Sequence, residues 1–447
     1  MKRFGIEYLK EWKVSPDRKP LVVKGIRQVG KTWLLKSFGE RCFKDTAYFN
    51  FEENRSLDSY FAGDINPDRI VDGLSILHGK RIIPNETLLV FDEIQESNAA
   101  LNSLKYFHEK LPEQHIACAG SLLGITLSKP GSFPVGKVNF FELKPFSFLE
   151  FLYNFGEEML VEYFQNIELT ESVPLPIFNK CIELLKTYFL VGGMPEPLAT
   201  WIDTRDIDRT ERRQKEILQA YELDFSKHAP HSDIPKLHQI WRAVPSLLSR
   251  ENRKFVYSVV RKGARAREYE NAISWLESAG LIYKIHRVSK PALPLISYTD
   301  SQAFKLFFPD VGLLRVMSQL HPGAFVEGNR LFTEFKGALA ENYILQELVS
   351  GNEASDPHYW TSKATAEVEF IIQVDNSMIP IEVKSGVNVR SKSLKIYRDK
   401  YNPDLAIRSS LLNLKQENKL LNIPLFLAFR IPDFCRTLLV NRGFENG

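Results

Sequence analysis

Short apolar runs alternate with amphipathic stretches along the first part of the chain. Between the runs, apolar residues recur with the spacing of helices that bury one face. Because strands that alternate with helices favour a parallel sheet covered on both faces, the pattern predicts a three-layer α/β domain. The predicted strands are residues 21–24, 46–51, 87–95, 115–121 and 137–143, and the predicted helices are residues 32–39, 55–78 and 98–110.

The first predicted strand leads into a glycine-rich loop. Gly25 and Gly30 are five positions apart, and Lys31 and Thr32 follow, which is the G-x-x-x-x-G-K-[ST] pattern of phosphate-binding loops. In such a loop backbone N–H groups turn toward a phosphate, the lysine reaches the β- and γ-phosphates, and the hydroxyl ligates Mg²⁺. An ordinary glycine-containing turn is the other interpretation. The residues predicted to bind a nucleotide are Gly25, Gln28, Val29, Gly30, Lys31, Thr32 and Trp33.

Acidic residues end the third predicted strand. The carboxyl end of a buried parallel strand lies beside the phosphate loop, so Asp92 is predicted to hold Mg²⁺ together with Thr32, and Glu93 to polarise an attacking water. Ser121 ends the fourth strand, where a sensor residue would report on the terminal phosphate, and a Gly-Ser turn is the alternative. Glu93, Lys31 and Ser121 are therefore the candidate catalytic residues.

Several segments together resemble the bacterial and archaeal AAA-type ATPases that carry a C-terminal domain of unknown function. The resemblance covers essentially the whole chain and implies that the nucleotide is ATP, bound and hydrolysed with Mg²⁺. One departure is the segment Ala119-Gly-Ser-Leu122, where the family more often has Thr-Gly-Ser-Ser. The matching segments are residues 25–32, 91–95, 119–123, 135–138, 143–152 and 191–196.

The segment from about residue 150 to 230 is predicted to be helical. The stretch Cys181–Leu190 has helix periodicity and stops at Gly192-Gly193, and Arg209–Leu223 is a charged amphipathic helix. This fits the small helical lid that follows an AAA core. Arginines in this segment are candidates to reach a phosphate, or simply line a solvated helix face; they are Arg205, Arg209, Arg212 and Arg213.

Residues 236–300 have the order of a winged helix: helices, then the helix Ala266–Gly280, then the alternating strand Leu281–Val288. The segment is rich in lysine and arginine, which predicts contact with nucleic-acid phosphates. The position of the recognition helix carries acidic residues that would repel a DNA groove, so packing against neighbouring segments is the rival interpretation. These acidic residues are Glu268, Glu270 and Glu277.

The C-terminal part begins with a predicted helix, Phe332–Leu348, followed by strands at residues 358–361, 367–374 and 378–384, a basic helix at 392–401 and a strand at 405–408. Period-two alternation brings Glu369, Glu382 and Lys384 together, with Glu341 available from the helix. Carboxylates beside a lysine suit Mg²⁺-dependent cleavage of phosphodiesters. The order resembles the PD-(D/E)XK nuclease fold, although Glu369 stands where that family usually has Asp. The alternative is a nuclease-like fold kept for binding or assembly.

Composition limits the function classes only broadly. The chain has 447 residues, a net charge of +3 and four scattered cysteines, which favours a reduced, cytoplasmic protein. The N-terminus lacks the apolar core of a signal peptide, and no apolar stretch approaches membrane-spanning length. We therefore expect no membrane partner, and we treat DNA and further copies of the chain as candidate partners.

The predicted architecture has an ATPase core at residues 1–155, a helical lid at 156–232, a winged-helix module at 233–300, a linker at 301–330 and a nuclease-like domain at 331–447. The leading functional hypothesis is an AAA-type ATPase coupled to a DNA-associated, nuclease-like domain. One alternative is an ATP-dependent DNA nuclease. The other is a nucleotide-controlled scaffold that binds proteins through an inactive nuclease-like domain.

Overall fold

The structure is a computed structural model. It describes residues 1–63, 65–121, 136–169, 171–250, 254–325, 336–351, 356–362, 366–386 and 391–445. The chain divides into two compact units: unit 1 comprises residues 1–144 with 278–280, and unit 2 comprises residues 145–277 with 281–447. Unit 1 ends eleven residues before the predicted border at residue 155, and the finer predicted borders within unit 2 stay predictions.

Within the described residues, unit 1 is a parallel sheet with helices. The sheet order is β2-β3-β4-β1-β5, and every pairing is parallel. This confirms the predicted α/β fold with a parallel sheet. The strands are β1 (Leu21–Gly25), β2 (Asp45–Asn50), β3 (Thr87–Asp92), β4 (His115–Ser121) and β5 (Asn139–Glu142), and the helices are α1 (Gly5–Val14), α2 (Lys31–Cys42), α3 (Asp58–Phe61), α4 (Pro67–His78) and α5 (Asn98–Lys110).

The core of unit 1 explains why these segments become strands. Residues of β1 and β3 are almost fully buried, as expected for strands covered on both faces. Phe51 and Phe61 each pack edge to face against Phe91 of β3, and the ring centroids of all three are 5.6–5.7 Å apart. Strand β2 lies at one edge of the sheet and alternates between buried and half-buried residues. One face of β2 is therefore free to carry polar side chains near the carboxyl end of β3.

Unit 2 begins with helices that include the predicted lid segment. Ser147 caps the N-terminus of helix α6. It forms a capping box with Glu150, in which each side chain accepts the backbone N–H of the other residue. The helices are α6 (Phe148–Asn154), α7 (Glu158–Asn166), α8 (Leu175–Val191), α9 (Pro195–Thr204), α10 (Ile207–His228), α11 (Ile234–Leu248), α12 (Tyr257–Val260), α13 (Ala266–Ser278), α14 (Val311–Met317), α15 (Lys336–Ser350), α16 (Lys392–Tyr401) and α17 (Ile431–Glu445). Residues 332–335 of the predicted helix before α15 lie outside the described residues.

Helix α8 ends at a buried glycine turn, as predicted. Gly192 has φ 75° and ψ −172°, a conformation that favours glycine. A Cβ there would lie 2.3 Å from a carboxylate oxygen of Asp310. The fully buried Asp310 accepts the N–H groups of Gly193 and Leu313 at 2.6 and 2.9 Å, and burial raises its pKa to about 6. This turn therefore joins α8 to the start of α14.

The described strands of unit 2 form one eight-stranded mixed sheet, in the order β12-β13-β11-β10-β9-β8-β6-β7. The hairpin of β6 and β7 completes the predicted winged-helix order, but β6 also pairs in parallel with β8. The wing-like hairpin is thus an extension of the C-terminal sheet. The strands are β6 (Tyr283–Val288), β7 (Thr299–Phe307), β8 (His358–Thr361), β9 (Glu367–Val374), β10 (Ser377–Val383), β11 (Ala406–Ser410), β12 (Lys415–Glu417) and β13 (Leu420–Pro424).

Among the described residues, no helix is both long enough and apolar enough to cross a membrane.

Arginines predicted as phosphate-contact candidates have partners within unit 2. Arg205 lies over the Phe155 ring, 4.2 Å from its centroid, and Arg213 is 2.7 Å from the Glu216 carboxylate. These contacts fit the interpretation that such arginines stabilise helix surfaces.

Candidate nucleotide-binding site

The loop between β1 and α2 folds back on itself at the carboxyl end of the sheet. Gln28 and Gly30 have positive φ angles of 64° and 95°, and Gly30 immediately precedes α2. A Cβ on Gly25 would lie 2.5 Å from the carbonyl oxygen of Leu143, so this close approach of two backbone segments requires glycine. The residues between the two glycines are thereby held in a tight loop that leads directly into the first turn of a helix, the geometry in which N–H groups bind anions.

Lys31 is a buried cation within this loop. Its side chain donates to the carbonyl oxygens of Gly25 and Ile26 at 3.0 and 3.1 Å, and the residue is 7% exposed. Burial lowers the pKa of Lys31 to about 8, while the nearby carboxylates of Glu93 and Asp92 act in the opposite direction. The ammonium is therefore held by neutral oxygens in a place where an anionic ligand would stabilise its charge.

Asp92 joins the two sequence motifs directly. Its Oδ2 accepts hydrogen bonds from Thr32 Oγ1 and from Tyr48 OH, both at 2.7 Å, and its Oδ1 accepts the N–H of Glu93 at 3.1 Å. The residue is 3% exposed. The structure thus places the predicted Mg²⁺ residues Thr32 and Asp92 in contact. A hydroxyl and a carboxylate are oxygen donors, the class that Mg²⁺ prefers, so the donor set fits this ion.

Tyr48 was missed by the sequence analysis. Burial, and then the hydrogen bond to Asp92, raise the pKa of its phenol. The signal lies in strand β2, where Thr46, Tyr48 and Asn50 alternate with apolar residues and so share one face. The parallel register pairs Asn50 with Asp92, which brings this polar face to the acidic end of β3.

Glu93 follows Asp92 in an unusual backbone conformation. Its φ of 49° and ψ of 44° lie in the left-handed region, which costs a non-glycine residue of order 1 kcal/mol. Its carboxylate accepts a hydrogen bond from Gln95 Nε2 at 2.5 Å. The left-handed turn directs the chain away from the strand immediately after Asp92, so the two neighbouring carboxylates are held by different partners.

The remaining predicted residues lie around this centre. Strand β4 lies between β1 and β3, and Ser121 at its end is in register with Gly25, which is compatible with the predicted sensor position. Trp33 in the first turn of α2 is 39% exposed. Arg3, which the sequence analysis also missed, is 4% exposed and donates to the carbonyl oxygen of Val29 at 2.6 Å. This hydrogen bond connects the N-terminal segment to the phosphate loop.

In the second predicted site, in unit 2, Glu369, Glu382 and Lys384 lie close to one another. Glu382 is 1% exposed, pairs with Lys384 at 2.9 Å and accepts a hydrogen bond from Ser391. Burial raises the pKa of Glu369, Lys384 opposes that change and Glu382 adds to it, so these side chains act on one another electrostatically. Glu341 on α15 is 2% exposed.

The same residues of unit 2 were also predicted to bind a metal ion. In the part of the chain that the structure describes, no group of three or more His, Cys, Asp or Glu side chains is arranged to hold a metal ion. The second metal site therefore stays a prediction, and so does the nuclease-like character of the domain.

The basic segment predicted to contact nucleic acid is partly neutralised within unit 2. Arg261 lies 2.9 Å from the Glu268 carboxylate, and Arg287 lies 2.5 Å from that of Asp300. Glu268, one of the acidic residues expected to repel a DNA groove, thus neutralises a neighbouring arginine. The contact with DNA stays a prediction.

Comparison with known proteins supports the interpretation of unit 1. Residues 17–152 match the model of a family described as an AAA domain. This segment is therefore similar to AAA domains. Two further matches are domains of unknown function: DUF8612 at residues 182–323 and DUF4143 at residues 336–426. No curated protein matches the sequence. The expectation of an AAA-type core is thus confirmed, while the winged helix and the nuclease-like domain stay predictions.

Solved structures show partial similarity. The Walker-type ATPase PABY2304 of Pyrococcus abyssi has 17% identity and a TM-score of 0.45, covering 71% of this chain and 95% of that one. The ORC1 protein of Aeropyrum pernix, solved in complex with DNA, has 11% identity and a TM-score of 0.25, covering 70% and 90%. Cdc6p from Pyrobaculum aerophilum has 11% identity and a TM-score of 0.24, covering 71% and 92%.

Proposed function

We propose that the AAA domain binds ATP with Mg²⁺ and hydrolyses it, and that this cycle controls the domains of unit 2. The observation that carries the proposal is the hydrogen bond between Thr32 and Asp92, beside the buried ammonium of Lys31. It joins the phosphate loop to the acidic strand in the way a nucleotide site with a divalent ion requires.

Lys31 is proposed to bind the phosphates, and Thr32 the metal ion. An anionic phosphate is a stronger partner for an ammonium than a neutral carbonyl oxygen, so Lys31 moves its hydrogen bonds from the loop carbonyls to the ligand. Thr32 donates a hydrogen bond to Asp92, and the lone pairs of its oxygen stay available to a metal ion. Mg²⁺, when bound, would neutralise charge on the β- and γ-phosphates.

Glu93 is the residue proposed to polarise the attacking water. A carboxylate next to the bound nucleotide can accept a proton from water as the terminal phosphate leaves. Gln95 donates to this carboxylate at 2.5 Å, so the Glu93 side chain is held until a water competes for the same oxygen. Ser121, at the neighbouring strand end, is proposed to contact the terminal phosphate.

The test is binding of a fluorescent ATP analogue to the full chain, followed by phosphate release. Lys31→Ala is expected to weaken binding by at least about tenfold, since it removes the charged hydrogen-bond donor. Lys10→Ala is the matched control, because Lys10 is exposed and pairs with Glu7 at 2.8 Å on the surface of α1. Equal affinity of wild type and Lys31→Ala would contradict the proposal.

A second candidate function is Mg²⁺-dependent cleavage of DNA by unit 2. The observation that favours it is the buried Glu382, paired with Lys384 next to the half-buried Glu369. Cutting of single-stranded, duplex and branched DNA would be measured with Mg²⁺ or Mn²⁺, and Glu382→Ala should abolish it. If none of these substrates is cut, the nucleotide-controlled scaffold becomes the better account of unit 2.

A further inference from the structure

Tyr48 belongs to neither ATPase motif, yet it contacts Asp92 of the acidic motif. Its hydroxyl and that of Thr32 donate to the same oxygen of Asp92, each at 2.7 Å. The ammonium of Lys36 lies 3.8 Å from the centroid of the Tyr48 ring, within cation–π distance. We call these four residues, Thr32, Lys36, Tyr48 and Asp92, the tyrosine clasp.

The tyrosine clasp closes a ring through three elements. Thr32 and Lys36 are four positions apart on α2 and therefore share one face of that helix. Tyr48 lies on β2 and Asp92 at the end of β3, which pairs directly with β2. The helix that follows the phosphate loop is thus connected to the acidic strand by two routes, one through Thr32 and the other through Lys36 and Tyr48.

The hydrogen bond from Tyr48 has a fixed direction. An ionised carboxylate can only accept hydrogen bonds. Tyr48 therefore donates, and Asp92 Oδ2 accepts one hydrogen bond from Thr32 and one from Tyr48. With Oδ1 held by the N–H of Glu93, both oxygens of the carboxylate are oriented before any ligand binds.

We propose that Tyr48 is a positioning residue for the Mg²⁺–nucleotide site, and that it orients the Asp92 carboxylate while Lys36 holds its ring. This inference rests on the proposed function. It assigns to the edge strand β2 a part in metal binding that neither motif contains. Because Tyr48 acts through Asp92, its loss should alter the response to Mg²⁺ more than binding of the nucleotide alone.

The experiment is a titration of Mg²⁺ against binding of a fluorescent ATP analogue, in wild type and Tyr48→Phe. Phenylalanine keeps the ring under Lys36 and removes only the hydroxyl. A hydrogen bond to a charged group is lost, so the Mg²⁺ concentration at half-saturation should rise about tenfold. Binding measured in EDTA should stay within about twofold of wild type.

Two further variants make the comparison specific. Tyr106→Phe is the matched control, because Tyr106 lies on α5, which follows β3 and is separate from the tyrosine clasp; its Mg²⁺ titration should equal that of wild type. Lys36→Met keeps the Tyr48 hydroxyl and removes the charge over the ring, so a smaller shift of about two- to fivefold is expected. It also carries the test if Tyr48→Phe does not fold.

The outcomes separate the possible explanations. An unchanged Mg²⁺ titration in Tyr48→Phe and Lys36→Met overturns the proposal. Equal losses of binding with Mg²⁺ and in EDTA, together with a lower melting temperature, show a purely structural role and also overturn it. If Lys31→Ala binds the analogue as well as wild type does, the proposed function itself fails, and the inference fails with it. A shift in Mg²⁺ dependence with unchanged binding in EDTA supports the proposal.

Discussion

The buried Lys31 makes nucleotide affinity dependent on pH in a predictable direction. Burial lowers its pKa from 10.5 to about 8 in the free protein. An anionic phosphate favours the charged ammonium and so raises this pKa in the complex. Above pH 8 the free protein has lost the proton that the complex needs, so binding must take up a proton and affinity decreases as the pH rises.

The magnitude follows from the same pKa. At pH 7.5 about three-quarters of the Lys31 side chains are charged, and at pH 9.5 only about 3% are, for a pKa of about 8. The apparent affinity should therefore fall by about 25-fold between these two pH values, provided that the pKa in the complex exceeds 9.5. The terminal phosphate does not contribute, since the second pKa of a phosphate monoester is about 6.

The assay is a titration of the fluorescent ATP analogue at fixed ionic strength and fixed Mg²⁺ from pH 7.5 to 9.5. Lys31→Ala is the control, because the weak affinity that remains should lack this pH dependence. An affinity of wild type that changes by less than about twofold over the range would refute the reasoning. It would mean either that the ammonium stays charged in the free protein or that it does not contact the phosphates.

Two other predictions concern catalysis and stability. Glu93→Gln should bind ATP as wild type does while phosphate release falls by about 100-fold or more, since an amide cannot accept the proton of water; undiminished turnover would remove Glu93 from the catalytic role. Gly192→Ala should lower the free energy of unfolding, measured by chemical denaturation, by about 2 kcal/mol or more. The reason is that the new methyl group would lie 2.3 Å from Asp310 and that the backbone φ at this position is 75°. Gly79→Ala is the matched control, because Gly79 has φ 76° but no atom within 4 Å of its Cβ position, so it should cost clearly less than Gly192→Ala.

The phosphate loop and the parallel sheet could be predicted because their signals are local. The glycine spacing determines where the backbone turns, and an apolar run such as Leu21–Val23 favours a strand that is covered on both faces. The position of Asp92 and Glu93 near the phosphate loop could be predicted for a related reason. The carboxyl ends of parallel strands meet at one edge of a sheet, so an acidic residue at such an end lies near the loop that follows a neighbouring strand.

The partners of these residues were decided only by the tertiary structure. Nothing local to Tyr48 indicates that its hydroxyl reaches Asp92, 44 positions away. That contact depends on which strand lies beside β3 and on the register of the pairing. The same holds in unit 2, where β6 is locally a hairpin strand and yet pairs with β8 across about 70 residues.

The sequence by itself therefore determined the nucleotide loop, the acidic strand end and the α/β class of the first unit, because backbone turns and burial patterns are properties of neighbouring residues. The tertiary structure alone decided that Tyr48 contacts Asp92 and Lys36, and that the wing-like hairpin belongs to the C-terminal sheet. The physical reason is that strand order and register are set by packing and hydrogen bonding between distant segments, which local sequence patterns do not encode.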